Sequence, residues 1–302
     1  MRVLIALDAT PHCVALVKEA ASRPWPTGSE FLLLHVLDPF PFVKAPISLK
    51  RAKAATLEVL SKAGEDLAKA GWKIETDVVL GLARKALPQC AATWRADLVL
   101  VGSHEAGALT RLFLGSTARS VLREAPCAVE VVRAGAGEAK NGGTKILLAT
   151  DGSPYSLAAA RSIAERPWPA GSQFKILAIP EPFLPLGEFP YFELKEIEDL
   201  NTAALHDAQR HAAESAEVLK KAGLEAKSAT PLPKDSDARE IVKAAEQWKA
   251  DLVVVGSHGR RGFDRFTLGS VSEDVALHAH CSVEVVRAPE IRESQGLKGE
   301  RL

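Results

Sequence analysis

The chain has 302 residues, enough for two domains of about 150 each, and its 47% hydrophobic and 25% charged residues exclude a disordered or fibrous protein. Lys plus Arg and Asp plus Glu both number 38, so no bulk charge selects a polyanion such as nucleic acid. A small anion recognised by local groups fits this balance better.

The N-terminal "MRVLIALD" is too short in apolar residues for a signal peptide, and no run reaches the roughly 18 residues of a membrane span, so a cytoplasmic protein with no membrane partner is expected. The four cysteines, Cys13, Cys90, Cys127 and Cys281, form no C-x-x-C pair and no closely spaced ligand set. They are expected to be reduced thiols, with neither a disulfide framework nor a zinc site.

The chain then repeats itself. "RVLIALDATP" (2–11) returns as "KILLATDGSP" (145–154), and "RPWPTGSEF" (23–31) as "RPWPAGSQF" (166–174). Between 97–133 and 251–287 more than half of the aligned positions are identical, ending in "CAVEVVR" and "CSVEVVR". The chain is a duplication, with a first domain at 1–133, a linker at 134–143 ("AGAGEAKNGG") with nothing to pack, a second domain at 144–288 and a tail at 289–302.

In the second half the predicted strands are 145–150, 174–179, 225–230, 251–256 and 282–287, and the segments between them carry helical i, i+3, i+4 apolar spacing. Gly223 stands where a helix C-terminal glycine is expected. Strands apolar nearly throughout, alternating with helices, predict an α/β fold: two tandem, doubly wound domains, each with a five-stranded parallel sheet. The last strands, "AVEVVR" and "SVEVVR", would be sheet edges and need a partner.

Ligands of such sheets sit beyond the carboxyl ends of the strands, where the strand order reverses. Two loops of the second half qualify. One is Asp151-Gly152-Ser153; the other is Gly256-Ser257-His258-Gly259, followed after nine residues by Gly269-Ser270 at the start of a predicted helix from Val271. Glycines admit a close phosphate, and amides at a helix start attract an anion. The Ser270 hydroxyl could cap the helix or bond a phosphate oxygen.

G-x-x-G, nine residues, then G-S, after "DLVVVGSHGR" and before a closing "VEVVR", resembles the ATP-binding motif of the universal stress protein family, and the whole chain resembles its tandem form. The resemblance implies a flavodoxin-like, Rossmann-like strand order of 3-2-1-4-5 in each half, the halves forming a pseudo-dimer, and ATP across the crevice of the second half, with or without magnesium. It implies that Asp151 holds the adenosine at the ribose and that the backbone around Ile179 lines the adenine. Gly256, Gly259, Gly269 and Ser270 would wrap the phosphates, with the Val271 amide assisting.

The first half departs from this pattern. It reads Gly102, Glu105, nine residues, Gly115-Ser116, and its first loop is Asp8-Ala9-Thr10. A carboxylate about 4 Å from a phosphate oxygen costs roughly 1 to 4 kcal/mol per charge pair. The first half is therefore expected to have lost its nucleotide; the alternative is a Glu105 turned to solvent, with Gly107 supplying the missing freedom.

His104 and His258, in matching "GSH" segments, have no partner at ligand spacing and are assigned to structural hydrogen bonding. Arg260, Arg261 and Arg265 crowd the second-half loop, where they either neutralise a triphosphate or face solvent; the first half keeps Arg111 alone. The proline- and phenylalanine-rich 181–200, with its shorter counterpart at 38–47, is expected to pack over its own domain, and Trp25 and Trp168 are assigned to structure.

The function expected is that of an ATP-binding stress-response regulator, with one nucleotide per chain and signalling by occupancy-dependent conformation or partner choice, and with a homo-oligomer of whole chains as the assembly. One alternative is slow ATP hydrolysis or phosphotransfer, for which Asp264 and Asp151 are the loop candidates in the absence of a Walker lysine motif. The other is a nucleotide-free interaction scaffold.

Overall fold

The computed structural model describes residues 1–8, 13–44, 46–103, 114–133, 143–183, 193–260 and 268–288. The first half contains β1 (Arg2–Ala6), α1 (Cys13–Ser22), β2 (Glu30–Leu37), a 3-10 turn at Phe40–Phe42, α2 (Pro46–Lys69), β3 (Lys73–Leu80), α3 (Ala83–Trp94), β4 (Leu98–Gly102), α4 (Ser116–Glu124) and β5 (Ala128–Val132). The second contains β6 (Lys145–Ala149), α5 (Pro154–Ala164), β7 (Gln173–Leu177), α6 (Leu194–Lys221), β8 (Ala226–Ala229), α7 (Asp237–Trp248), β9 (Leu252–Gly256), α8 (Ser270–His278) and β10 (Ser282–Val286).

Within each half the strands run parallel in the order 3-2-1-4-5, as the resemblance implies. The two halves are not separate sheets, however. They join into one ten-stranded sheet in the order β3-β2-β1-β4-β5-β10-β9-β6-β7-β8, whose one antiparallel step is β5 against β10. The edge that an isolated half would expose is thereby paired. Inner strands such as β1, β4 and β9 are buried along nearly their whole length, with helices on both faces.

The central seam explains which stretches the two halves share most closely. Glu130 lies directly opposite Glu284 across β5 and β10, and both are 0% exposed. Two buried carboxylates in register need counter-charge. Arg23 Nη1 and Nη2 donate to Glu130 at 2.7 and 2.6 Å, and Arg166 Nη2 donates to Glu284 at 2.9 and 2.8 Å. Those arginines open the two "RPWP" segments, whose tryptophan indoles donate back to Ala20 O (2.7 Å) and Ile163 O (2.9 Å). The segments line a shared cleft across the seam.

A second reciprocal pair crosses it. Arg133 of the first half donates to Ala276 O and Leu277 O in the last turn of α8, while Arg287 of the second donates to Leu122 O and Arg123 O in the last turn of α4. Each half thus satisfies the orphan carbonyls of the other half's closing helix and places a cation where the helix dipole is negative. Burial pulls both guanidinium pKa values below the usual arginine range, so these contacts carry the charge into a poorly solvated place.

Gly143, the last residue expected in the linker, has φ +79°, and a Cβ there would fall 2.2 Å from Ser172 N. Helix α6 begins at Leu194, inside the aromatic and proline-rich stretch, because Glu193 and Glu196 form a reciprocal capping box. Cys90, Cys127 and Cys281 are free, and burial pushes the Cys127 thiol up to about 12, as suits an inert thiol. Among the described residues no helix is long and apolar enough to cross a membrane.

Candidate functional site

Strand β6 has β7 on one side and β9 on the other, so the chain leaves β6 and β9 at the carboxyl edge in opposite senses and opens a crevice between them. Three segments meet there: the loop after β6, the loop after β9 and the start of α8. Their contacts are made mostly by backbone.

Asp151 joins the first two. Its Oδ1 accepts from Ser153 N and its Oδ2 from Arg260 N, both at 3.0 Å, so one carboxylate holds its own turn and the neighbouring loop together. A carboxylate has about four acceptor positions, and two remain for a ligand hydroxyl. Ser153 caps α5, accepting from Ser156 N at 3.2 Å. Arg260 pairs with Glu181 at 3.2 Å, which draws the segment following β7, and with it the half-buried Ile179, toward the same loop.

The three glycines of the motif matter through space rather than through backbone angle, since none has a positive φ. At Gly256 an added Cβ would lie 2.7 Å from Tyr155 C and 2.8 Å from Ser156 N, where the first turn of α5 crosses the strand end. At Gly259 it would lie 3.0 Å from Asp151 Oδ2, and at Gly269 3.0 Å from Ser257 O. Close approach of neighbouring atoms, and not a positive φ, is what a side chain at these three positions would meet.

Gly269 N donates to Ser257 O at 2.9 Å, and Ser272 Oγ donates to the same oxygen at 3.1 Å, fixing the start of α8 on the β9 loop. Gly269, not Ser270, is the N-cap residue, and it provides no side-chain cap. Ser270 and Val271 are the first helical residues, both exposed, so their amides stand at the positive end of the helix dipole. Of the two roles considered for Ser270, capping is therefore set aside.

His258 is buried, hydrogen-bonded to Ser257 Oγ at 3.1 Å and packed at a 47° tilt against Tyr155 with ring centroids 4.9 Å apart, while its carbonyl accepts from Ser153 Oγ at 3.4 Å. This is the structural role assigned to it from sequence. Glu105, His104, Gly107, Arg111, Arg261, Asp264 and Arg265 lie outside the described residues, as do Ala9 and Thr10. The frame around the first-half motif is retained: Gly115 N donates to Ser103 O at 2.9 Å, matching Gly269 and Ser257.

Sequence reasoning missed a polar layer beneath the Asp151 turn. Thr150 Oγ1 donates to Ser156 Oγ (3.2 Å) and accepts from Ser215 Oγ (3.0 Å), and Gly152 N lies 3.4 Å from Thr150 Oγ1. The His211 ring of α6 packs directly under Gly152. The signal was present in the repeat. Aligning 2–11 with 145–154, and Gly71 with Gly223 at the helix ends, sets Leu7, Cys13, Ala63 and Val59 against Thr150, Ser156, Ser215 and His211.

With the geometry in hand, comparison with known proteins places the chain. The profile of the universal stress protein family matches residues 1–133 and again 143–287. The chain belongs to the universal stress protein family, in its tandem form. It is 28% identical over 297 residues to a universal stress protein of Mycolicibacterium smegmatis, covering 94% of this chain and 96% of that one. A universal stress protein of Thermus aquaticus is 32% identical over 133 residues, 43% of this chain and 97% of its own length. Among solved structures, a universal stress protein from Archaeoglobus fulgidus superposes with a TM-score of 0.67 at 17% identity, covering 95% of this chain and 98% of that one, a likeness of fold.

Proposed function

We propose that this chain is a regulatory protein that binds one adenine nucleotide, ATP being the expected species, in the crevice of its second half, and that it signals by occupancy rather than by turnover. The observation that carries this reading is the joint held by Asp151. One carboxylate ties the β6 and β9 loops together beside the glycine at 259 and the uncapped start of α8, so hydroxyl-accepting oxygens and anion-attracting amides face one crevice.

In this reading Asp151 accepts from the ribose, the backbone near Ile179 borders the base, Gly256 and Gly259 keep the loop close to α5 and to Asp151, and Gly269, Ser270 and Val271 meet the phosphates. The residues fit a nucleotide. A magnesium ion, where the nucleotide carries one, would be held chiefly by the phosphates. Slow phosphate release is compatible with this reading, and catalytic turnover would need a water-positioning group beyond those assigned here.

The test is mass spectrometry of the ligand released by heating protein purified from its host, together with phosphate release under excess ATP. A copurified adenine nucleotide and turnover below about one per minute are expected, far under the roughly 1 to 1000 per second of typical enzymes. Several turnovers per second, lost on Asp151→Ala, would make the protein an enzyme. Absence of any bound nucleotide at saturating ATP would leave a scaffold.

A further inference from the structure

Outside the residues assigned to the nucleotide, exposed apolar side chains gather at one equivalent place in each half. In the first half Phe40 and Val43, in and just after the 3-10 turn, and Ile47 at the start of α2 are 71 to 81% exposed. In the second half Leu194, the first residue of α6, is 81% exposed, and Leu200 is exposed further along. Both helices follow the second strand of their half. Single exposed apolar residues are ordinary; several at one helix start, found again in the other half, are the signature of a contact surface.

The charges around these side chains are opposite in sign. Between 40 and 53 the chain carries Lys44, Lys50, Arg51 and Lys53 and no acid, and Ile47, Lys50 and Arg51 share a helical face at i, i+3 and i+4. Between 193 and 200 it carries Glu193, Glu196, Glu198 and Asp199 against Lys195, and Glu196, Asp199 and Leu200 share a face in the same way. All of these charges are exposed, and among the described residues none takes part in an ion pair. Further along the same helices the signs are mixed and paired, as Lys69 is with Glu65 and Asp66, and Arg210 with Asp207 and Glu214. At the two starts they are segregated between the halves.

We propose that the start of α2 in one chain docks on the start of α6 in a second copy of this chain, the apolar residues meeting at the centre with the basic and acidic groups around them. Charge complementarity selects this occupant: equivalent starts repel each other, whereas basic on acidic attracts and fixes the register. The fold lets the contact close on itself. Glu130 faces Glu284 in an antiparallel pair, so a local two-fold relates the halves. Helix α2 packs on β2 and β3 at one end of the sheet and α6 on β7 and β8 at the other, both on the face that carries the shared "RPWP" cleft. Two copies laid with these faces together bring a basic start onto an acidic one at both ends, and the assembly stops at a dimer. The contact does not depend on the nucleotide reading of the crevice.

Analytical ultracentrifugation of the full chain tests this with two charge-reversed variants, Lys50→Glu with Arg51→Glu, and Glu198→Lys with Asp199→Lys. All four positions are exposed, and circular dichroism checks that both variants fold. The unmodified chain should sediment as a dimer at micromolar concentration, with a dissociation constant that rises about tenfold between about 0.05 and 0.5 M salt. Each variant alone should dimerise at least about tenfold more weakly, since like charges then meet at both ends. Mixed in equal amounts, the two variants should recover a heterodimer, because every reversed start finds a reversed partner. A monomeric parent, variants that dimerise as well as the parent, a mixture that stays dissociated, or a mass that grows past two copies overturns the proposal. A monomeric parent that binds vesicles of phosphatidylserine and phosphatidylcholine, and loses that binding in Lys50→Glu with Arg51→Glu, assigns the basic start to a membrane surface instead.

Discussion

The two halves of this chain are alike where they meet each other and unlike where a ligand would sit. At the seam the ion pairs agree: Arg23 with Glu130 matches Arg166 with Glu284, and Arg133 on α8 matches Arg287 on α4, although Arg23 also holds the buried Glu19 where the second half has Ser162 on Glu284. Beneath the first loop it fails. Leu7 belongs to the apolar core of the first half, whereas Thr150 is the hub of a hydroxyl network in the second. Val59 is 44% exposed on its helix, whereas His211 is buried under the turn. The seam needs both copies of its residues, since each half covers the other's exposed strand; a ligand site needs only one.

The largest effect expected is at the seam. Removing one partner of a buried ion pair strands the other charge, so Arg23→Ala and Arg166→Ala should each lower stability by about 3 to 5 kcal/mol. Urea denaturation measures this. A loss in both variants, the larger in Arg23→Ala because it also strands Glu19, would support the shared role, and a loss in only one would break it.

Next comes Gly259→Glu. The new side chain starts 3.0 Å from Asp151 Oδ2 and adds a like charge beside the expected phosphates. Even about 2 kcal/mol of repulsion weakens ATP binding nearly thirtyfold. Gly259→Ala separates the causes: a comparable loss points to displacement of Asp151, and a small one to charge.

The smallest effect tests the hydroxyl layer. Ser215→Ala removes a donor to Thr150 and should cost about 1 kcal/mol in the second half, while the reverse change in the first half, Ala63→Ser, should gain nothing, because Leu7 offers no acceptor side chain. Thermal unfolding of both variants checks it.

The duplication and the alternation of strands and helices were legible because each strand is a short apolar run and each helix carries its own period, whereas the order 3-2-1-4-5 was implied by the family resemblance of the loop motifs. The joining of β5 to β10 was legible only as an edge in need of a partner. What Arg23 and Arg166 do was hidden, since "RPWP" reads as turn chemistry until Glu130 and Glu284 are seen to face each other 107 and 118 residues away. The site itself was visible as glycines, and their reasons differ: neighbouring atoms crowd the space that a side chain would need at Gly256, Gly259 and Gly269, whereas Gly152 alone of the four has a positive φ. His211 was invisible for a different cause. It lies on a long helix whose alignment with the first half requires the C-terminal glycines Gly71 and Gly223 as an anchor, and its contact is with a backbone turn, which leaves no pattern in the local sequence.

Calorimetric titration of ATP into the unmodified chain, Gly259→Glu and Glu105→Gly tests the central claim most directly. One site per chain is expected in the unmodified protein, none of comparable affinity in Gly259→Glu, and still one in Glu105→Gly, because Ala9, Thr10, Leu7 and Val59 continue to distinguish the first half. Two tight sites in the unmodified chain, or full binding by Gly259→Glu, would contradict the assignment of the nucleotide to the second half.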